Sequence, residues 1–178
     1  MKKPIDVFDY AGDICKAMKK GILLTTRRGE EVNTMTIGWG MVGIEWNKPI
    51  FITYVRQNRH TRTLLDDAKE FTVNIPVGDI DPNILAYCGR NSGRDVNKIQ
   101  DMNLTLEEPN VIQTPGIRQL PFTLECKVLY RQDQDLNLLP TEIVERLYPQ
   151  NIDGCAAGKN RDFHVAYYAE IVDAYIIE

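Results

Sequence analysis

A cluster of cations lies in residues 54–64, YVRQNRHTRTL, between an apolar run and a short helical pattern. The free N–H groups and the partial positive charge at a helix N-terminus favour a bound anion. Arginine adds a forked pair of donors that suits phosphate oxygens. The side chains predicted to face one phosphate group are Arg56, Arg59, His60 and Thr61.

The alternative for this cluster is a solvated, charged loop that forms ion pairs with Asp66, Asp67 or Glu70. A second segment favours the phosphate site. Residues 88–98, CGRNSGRDVNK, combine two glycines and a serine with cations, and such a loop can present a concave array of backbone donors. A turn between two helices has a similar composition. Two phosphate-compatible loops in a chain of net charge −4 nevertheless favour a phosphate site more strongly than one loop would.

A third motif, GWGMVG at residues 38–43, matches the pattern G-x-G-x-x-G. The dinucleotide-binding form of this pattern opens a helix, whereas here residues 44–49 lead into another strand, so we reject that interpretation. The glycines indicate a twisted or bulged strand, above all at Gly43. Gly38 and Gly40 also flank Trp39 and would let a flat ligand approach the backbone. The alternative for Trp39 is an ordinary core or interface aromatic.

The bulk composition argues against several other functions. A net charge of −4 over 178 residues disfavours general nucleic-acid binding, which needs an extended basic surface. The four cysteines form no C-x-x-C pair and the sequence has two histidines, so no metal site is predicted. Scattered cysteines without a secretory signal fit a cytoplasmic protein. The sequence has no run of about 20 apolar residues that would predict a membrane span.

Strands must position most of these residues. Segments rich in β-branched and aromatic residues predict strands at residues 22–27, 34–46, 49–56, 70–76, 104–108, 122–132 and 164–177. Helical patterns predict short helices at residues 9–21, 61–68, 81–90, 93–102 and 141–149. This succession predicts a mainly β fold, an antiparallel barrel with helical decorations. The absence of a regular βαβ alternation argues against a doubly wound sheet.

Six segments, in this order and spacing, resemble the flavin reductase-like, FMN-binding split-barrel proteins, particularly their flavoredoxin-type branch. They are NTMTIGW, KPIFITYVRQNRHT, FTVNIP, CGRNSGRDVNK, LECKVLYRQD and DFHVAYYAEI, and they extend over most of the chain. The resemblance implies a six-stranded antiparallel split barrel that forms one domain over residues 1–178. It also implies a homodimer with non-covalently bound FMN.

The resemblance further implies roles for individual residues. Those at the isoalloxazine edge are Asn33, Thr34, Met35 and Thr36, with Trp39 near the ring. Those at the phosphate or ribityl chain are Arg56, Arg59 and Thr61, completed by Ser92, Gly93 and Lys98. His164 approaches the reactive side of the ring as the catalytic residue, with Tyr167 or Tyr168 nearby. The chain departs from the family pattern at His60, Asn97 and Ala169, where tyrosine, aspartate and glycine are more usual, and in the stretch NIDGCAAGKNRDF before His164.

The function implied is an FMN-dependent oxidoreductase, with NAD(P)H as a candidate co-substrate and His164 either orienting the donor or exchanging a proton near neutral pH. For His164 the alternative is a polar strand residue without a chemical role. Adjacent strand residues face opposite ways, so at most one of Tyr167 and Tyr168 shares a face with the site. The main alternative function is an electron carrier to a protein partner. Two further alternatives are a phosphate-binding module for nucleic acid and a barrel that binds haem or a pyridoxal-type compound.

Overall fold

The computed structural model describes residues 1–152, 155–156 and 159–178, and of residues 155–156 and 159–160 it describes the backbone alone. In chain order, the strands are β1 (Lys2–Pro4), β2 (Ile22–Arg28), β3 (Glu31–Ile37), β4 (Gly40–Glu45), β5 (Lys48–Arg56), β6 (Glu70–Ile75), β7 (Leu106–Glu107), β8 (Gly116–Ile117), β9 (Phe122–Asp133), β10 (Cys155–Ala156), β11 (Lys159–Asn160) and β12 (His164–Ile177). The α-helices are α1 (Ala11–Met18), α2 (His60–Ala68), α3 (Pro82–Arg90), α4 (Lys98–Asp101) and α5 (Thr141–Leu147), and short 3₁₀ helices occur at Val7–Tyr10 and Leu136–Leu138.

The main sheet is antiparallel and follows the order β3-β2-β6-β9-β12-β5-β4, with β1 paired to β12. Strands β3 and β4 lie at opposite ends of this order, yet Ile37 and Gly40 are separated by two residues in the chain. Such a link spans about 10 Å at most. The sheet must therefore curl until its end strands approach each other. The mainly β, split-barrel prediction is confirmed, although the described sheet has eight strands, not six.

Two hydrophobic clusters hold the elements in place. The larger one fills the barrel and includes Leu24, Phe51 and Phe71, with α1 contributing Ile14 and Met18. The smaller one lies under α3 on the other face of the sheet and consists mainly of Leu23, Ile84, Cys88, Leu104, Ile117 and Leu120. Leu23 and Leu24 belong to different clusters because adjacent strand residues face opposite sides. Strands β2 and β3 are thus covered on both faces.

Two local predictions from the sequence are wrong, and a third is wrong in part. The strand expected at residues 34–46 breaks into β3 and β4, because the chain crosses from one end of the sheet to the other at Gly38 and Trp39. The helix expected at residues 93–102 shrinks to α4, because the side chain of Asn97 accepts a hydrogen bond from the Gln100 N–H and starts the helix there. For the twisted or bulged strand expected at Gly43, the bulge is absent, since β4 and β5 keep one register throughout, and the twist stays a prediction.

Residues 40–43 of the rejected dinucleotide motif lie in β4, which leads directly to β5 without a helix. Glycine is nevertheless required at one position there. A β-carbon at Gly40 would meet the backbone of β5 and the side chain of Met18. Gly40 therefore lets α1 pack closely against the sheet beside Trp39.

Among the described helices, none combines the length and the apolar character that crossing a bilayer requires.

We expect Gly40→Ala to destabilise the fold, because the added β-carbon would lie 2.8 Å from the Ile52 carbonyl oxygen and 3.1 Å from the Met18 sulfur. Overpacking of this kind costs about 1–3 kcal/mol. The matched control is Gly43→Ala, whose β-carbon would have nothing within 4 Å, and which should change the free energy of unfolding by less than about 0.5 kcal/mol. Urea unfolding measures both variants, and equal stabilities would contradict the close packing of α1 on β4.

Candidate functional site

Helix α2 begins at His60 directly after the loop that follows β5, and its N-terminus has no side-chain cap. The residue before it, Arg59, is extended with φ −68° and ψ 135°, and its side chain does not bond to the amides of the first turn. Uncapped first-turn amides carry a partial positive charge and can donate to a ligand. The helix N-terminus predicted from the sequence is therefore present.

The second predicted loop lies directly against this N-terminus. Arg59 Nη1 donates to the Gly89 carbonyl oxygen at 3.0 Å, and Arg94 Nη1 donates to the Asn58 carbonyl oxygen at 2.9 Å. A β-carbon on Gly93 would lie 2.2 Å from Asn33 Oδ1 and 2.9 Å from His60 Cδ2. Glycine is thus required where the two loops meet. The structure brings together the two loops that the sequence identified separately.

Strand β3 forms one side of this junction. Asn33 Nδ2 donates to Thr61 Oγ1 at 2.7 Å, which joins the strand to the first turn of α2. Thr36 Oγ1 donates to the Leu85 carbonyl oxygen at 2.6 Å, on the face covered by α3. Met35 lies in the barrel core. Because side chains alternate along a strand, residues 33–36 cannot all present side chains to one ligand. The prediction that all four line a flavin therefore requires backbone contacts.

Lys98 lies beneath the second loop and is 4% exposed. Its Nζ donates to the carbonyl oxygens of Thr34 and Cys88 at 2.9 and 3.0 Å, so it ties β3 to the end of α3. Burial lowers the pKa of Lys98 to about 8, and the charge of Arg59 acts in the same direction. Ser92 lies in the turn that follows α3, where its Oγ accepts from the Arg94 N–H. The phosphate contacts of Ser92 and Lys98 stay predictions.

The remaining cations of the first loop contact protein groups in different directions. Arg56 donates to the carbonyl oxygens of Asp162 and Leu147 at 2.8 and 3.1 Å, on the side of α5. His60 Nε2 lies 2.6 Å from Glu31 Oε1, and this hydrogen bond lowers the pKa of Glu31. The alternative of an ion pair with Asp66 holds for Arg62, whose Nη1 lies 2.6 Å from Asp66 Oδ2. The shared phosphate contact of Arg56 and His60 stays a prediction.

A second group of side chains surrounds His164 at the start of β12. Its ring lies 4.6 Å from the Trp39 ring, centroid to centroid, with a tilt of 38°. Its Nδ1 lies 2.7 Å from the Tyr148 hydroxyl. His164 is 7% exposed, and burial together with the charges of Arg56 and Arg59 lowers its pKa to about 3. His164 is therefore neutral at physiological pH, which favours an orienting role over proton exchange.

Trp39 itself is 40% exposed and is not a core residue. It lines an open groove of about 430 Å³ between α1 and the start of β4. The residues that line this groove are Cys15, Met18, Lys19, Gly38, Trp39, Gly40, Met41, Tyr54 and Gln134. Flat and sulfur-containing side chains form much of the wall. The groove therefore suits a planar, largely apolar ligand.

The two tyrosines of β12 face opposite ways, as predicted. Tyr167 donates to Asp66 Oδ1 at 2.6 Å, whereas the Tyr168 ring lies 5.2 Å from the Tyr130 ring. The tyrosine beside His164 is instead Tyr148, which sequence reasoning missed. It follows α5 in an unremarkable helical pattern, and no local motif marks it. Asp162, which accepts from the Asn58 N–H at 2.9 Å, was also missed because it lies in the stretch that departs from the family pattern.

The stability of the wild-type protein should rise with pH relative to Lys98→Met between about pH 8 and 10.5. In this window the unfolded lysine, with its ordinary pKa of 10.5, still binds a proton that the folded Lys98 has released. Both hydrogen bonds can persist, because a neutral amine has two hydrogens. Urea unfolding across this range measures the difference. Lys127→Met, at an exposed lysine of β9, is the control, and parallel curves for the wild type and Lys98→Met would contradict the burial argument.

Comparison with known proteins identifies the family and supports the fold. The family model of the flavin reductase like domain matches residues 17–178. Among solved structures, the flavoredoxin of Desulfovibrio vulgaris is 18% identical with a TM-score of 0.63, over 89% of this chain and 69% of that one. The flavoredoxin of Methanosarcina acetivorans is 21% identical with a TM-score of 0.61, over 89% and 68% of the two chains. An FMN-binding domain of a flavin reductase-like enzyme from Shewanella baltica is 16% identical with a TM-score of 0.63, over 99% and 77%.

A curated relative, an uncharacterised protein of Archaeoglobus fulgidus, is 28% identical over 100 residues. The match covers 56% of this chain and 55% of that protein, so it extends over about half of the relative's length. The solved structures establish the fold, and the family model covers most of the sequence. The chain belongs to the flavin reductase-like family.

Proposed function

We propose that the protein binds FMN non-covalently and uses it to pass a hydride or electrons from NAD(P)H to an acceptor. The observation that carries this proposal is the junction of the two loops at the N-terminus of α2, where Gly93 contacts Asn33 and His60. Family membership supports the flavin, and the junction supports a phosphate at this end. Residues 1–178 would form one FMN-binding domain.

The residues present fit the chemistry of FMN. Its phosphate requires cations and N–H donors, which Arg59 and the uncapped amides of α2 supply. Thr61 Oγ1 accepts from Asn33, so its own hydrogen is left to donate. The isoalloxazine ring of FMN requires a flat, apolar surface, which Trp39 and the glycines beside it supply. Ser92, Gly93 and Lys98 would support the phosphate end from the second loop.

Bound FMN supplies the hydride and electron chemistry. The chain would hold the phosphate with Arg59, His60 and Thr61, and place the ring near Trp39. His164 would take part in a hydrogen bond to the ligand as a neutral imidazole, because the pKa of His164 is lowered to about 3. It would therefore orient a reacting group without supplying a proton.

An electron carrier to a protein partner is the second candidate. The observation that favours it is the exposure of Trp39, 40%, and of Met41, 51%, at the edge of the groove. Two apolar side chains of this size at one edge suit coverage by another protein. In that case the reduced flavin would pass its electrons to the partner, and NAD(P)H would not react directly.

Two further properties belong to the proposal. The chain would form a homodimer, which agrees with half-exposed aromatic residues such as Tyr130 on the outer face of the sheet. It would function in a reducing cytoplasm, where the free thiols of Cys15, Cys88 and Cys126 remain reduced.

Anaerobic mixing of the FMN-loaded protein with NADH or NADPH separates the two candidates. A reductase should lose its oxidised flavin absorbance within seconds to minutes, with a preference for one of the two nucleotides. A carrier should keep its oxidised spectrum with both nucleotides and be reduced by dithionite. Persistence of the oxidised spectrum would contradict direct NAD(P)H turnover. A protein that acquires no flavin absorbance with FMN would contradict both candidates.

We expect Arg59→Ala to weaken FMN binding roughly tenfold to a hundredfold, because it removes a charge-assisted hydrogen bond to the phosphate. Quenching of FMN fluorescence during titration of the apoprotein measures the dissociation constant. Arg118→Ala is the matched control, since Arg118 is an exposed arginine that follows β8 and lies outside both loops. Circular dichroism should show an unchanged fold in both variants. Equal affinities of Arg59→Ala and the wild type would contradict the assigned role.

A further inference from the structure

A series of hydrogen bonds connects the groove to His164 through Gln134 and Tyr148. Gln134, which lines the groove, accepts a hydrogen bond at Oε1 from the Tyr148 hydroxyl over 3.1 Å. The same hydroxyl lies 2.7 Å from His164 Nδ1. Tyr148 is 2% exposed, so solvent does not compete for its hydroxyl. The three residues come from the end of β9, the end of α5 and the start of β12.

With the amide oxygen of Gln134 toward the Tyr148 hydroxyl, the number of hydrogens among the three side chains fixes the direction of each bond. An amide oxygen accepts and never donates, so the single phenol hydrogen of Tyr148 goes to Gln134. The phenol oxygen must then accept from His164, and Nδ1 must carry the hydrogen. A neutral imidazole has one N–H, so Nε2 is left with a lone pair.

The other nitrogen of His164 is available to a ligand. Within the described part of the chain, Nε2 of His164 makes no hydrogen bond. It is also not one of the fully buried polar atoms that lack a partner, so it is accessible to a ligand. Trp39 packs against the imidazole ring and lines the same groove as Gln134. Burial lowers the pKa of His164 to about 3, so protonation does not convert Nε2 into a donor near neutral pH.

We propose that Gln134 and Tyr148 are positioning residues that hold His164 in the tautomer with the hydrogen on Nδ1, so that Nε2 acts as an acceptor toward the ligand beside Trp39. The ligand part of this proposal rests on the proposed function. An obligate acceptor selects a ligand that offers an N–H or O–H group at this point, such as the primary carboxamide of a nicotinamide. It disfavours a carbonyl or carboxylate there, because two acceptors would face each other.

The tautomer can be observed directly, because the chain has two histidines. In ¹⁵N-histidine spectra of the FMN-loaded protein, the resonances that disappear in His164→Asn belong to His164. We expect a protonated-type shift at Nδ1 and an unprotonated-type shift at Nε2. The reverse assignment in the wild type would overturn the proposal, whatever the protein does with NAD(P)H.

Two variants at Gln134 test whether its side-chain oxygen determines the tautomer of His164. Gln134→Leu removes the acceptor, so the Tyr148 hydrogen should turn to Nδ1 and the His164 hydrogen should move to Nε2. Gln134→Glu keeps an acceptor oxygen and should keep the wild-type tautomer. Thermal unfolding establishes that both variants are folded. An unchanged tautomer in Gln134→Leu would overturn the positioning role.

The kinetic consequence is a split between KM and kcat. If the protein turns over NAD(P)H, Gln134→Leu should raise the KM for the nucleotide roughly tenfold, because Nε2–H would then face another donor. The kcat should change less, and Gln134→Glu should restore the KM. Equal KM values for all three proteins would overturn the ligand part. Failure of the protein to turn over NAD(P)H would contradict the proposed function. The ¹⁵N-histidine spectra would still determine the tautomer of His164.

Discussion

The reciprocal hydrogen bonds between two loops are the constraint on which the candidate site depends. Arg59 reaches from the loop before α2 to the end of α3, and Arg94 reaches back from the loop after α3 to Asn58. Each arginine donates to a backbone carbonyl oxygen of the other loop. The clamp therefore holds the N-terminus of α2 against Gly93 and concentrates positive charge there. An acidic chain keeps a local cationic surface by this means.

The curl of the sheet explains why the groove at Trp39 lies beside the N-terminus of α2. Strands β3 and β4 are adjacent in the chain but terminal in the sheet. The residues that link them, Gly38 and Trp39, must therefore lie at the split of the barrel. The start of β12 lies next to the end of β5, which leads to α2. The groove at Trp39 and the N-terminus of α2 are thus connected through one strand, β5.

Local patterns in the sequence predicted most elements, because alternation and capping act over a few residues. The helix at residues 81–90 is a clear case, since Asp81 caps it and Pro82 occupies its first turn. Predictions failed where a distant partner decides the outcome. The break between β3 and β4 depends on the curl of the whole sheet, and the local alternation of residues does not predict how the sheet curls. The same holds for the site. The loops at Arg59 and Gly93 were found by composition, whereas Tyr148 is brought to His164 by the packing of α5.

The positive charge of the first loop acts both at the N-terminus of α2 and at His164. In the proposed function Arg56 and Arg59 would attract an anion toward the loop, and both lower the pKa of His164. A phosphate bound at Arg59 would offset part of this charge. Burial would still keep His164 neutral, because it is the largest cause of the lowered pKa and does not depend on the arginines. The hydrogen-bonding state of His164 is therefore set by its own packing against Trp39 and Tyr148, and it persists whether or not an anion occupies the N-terminus of α2.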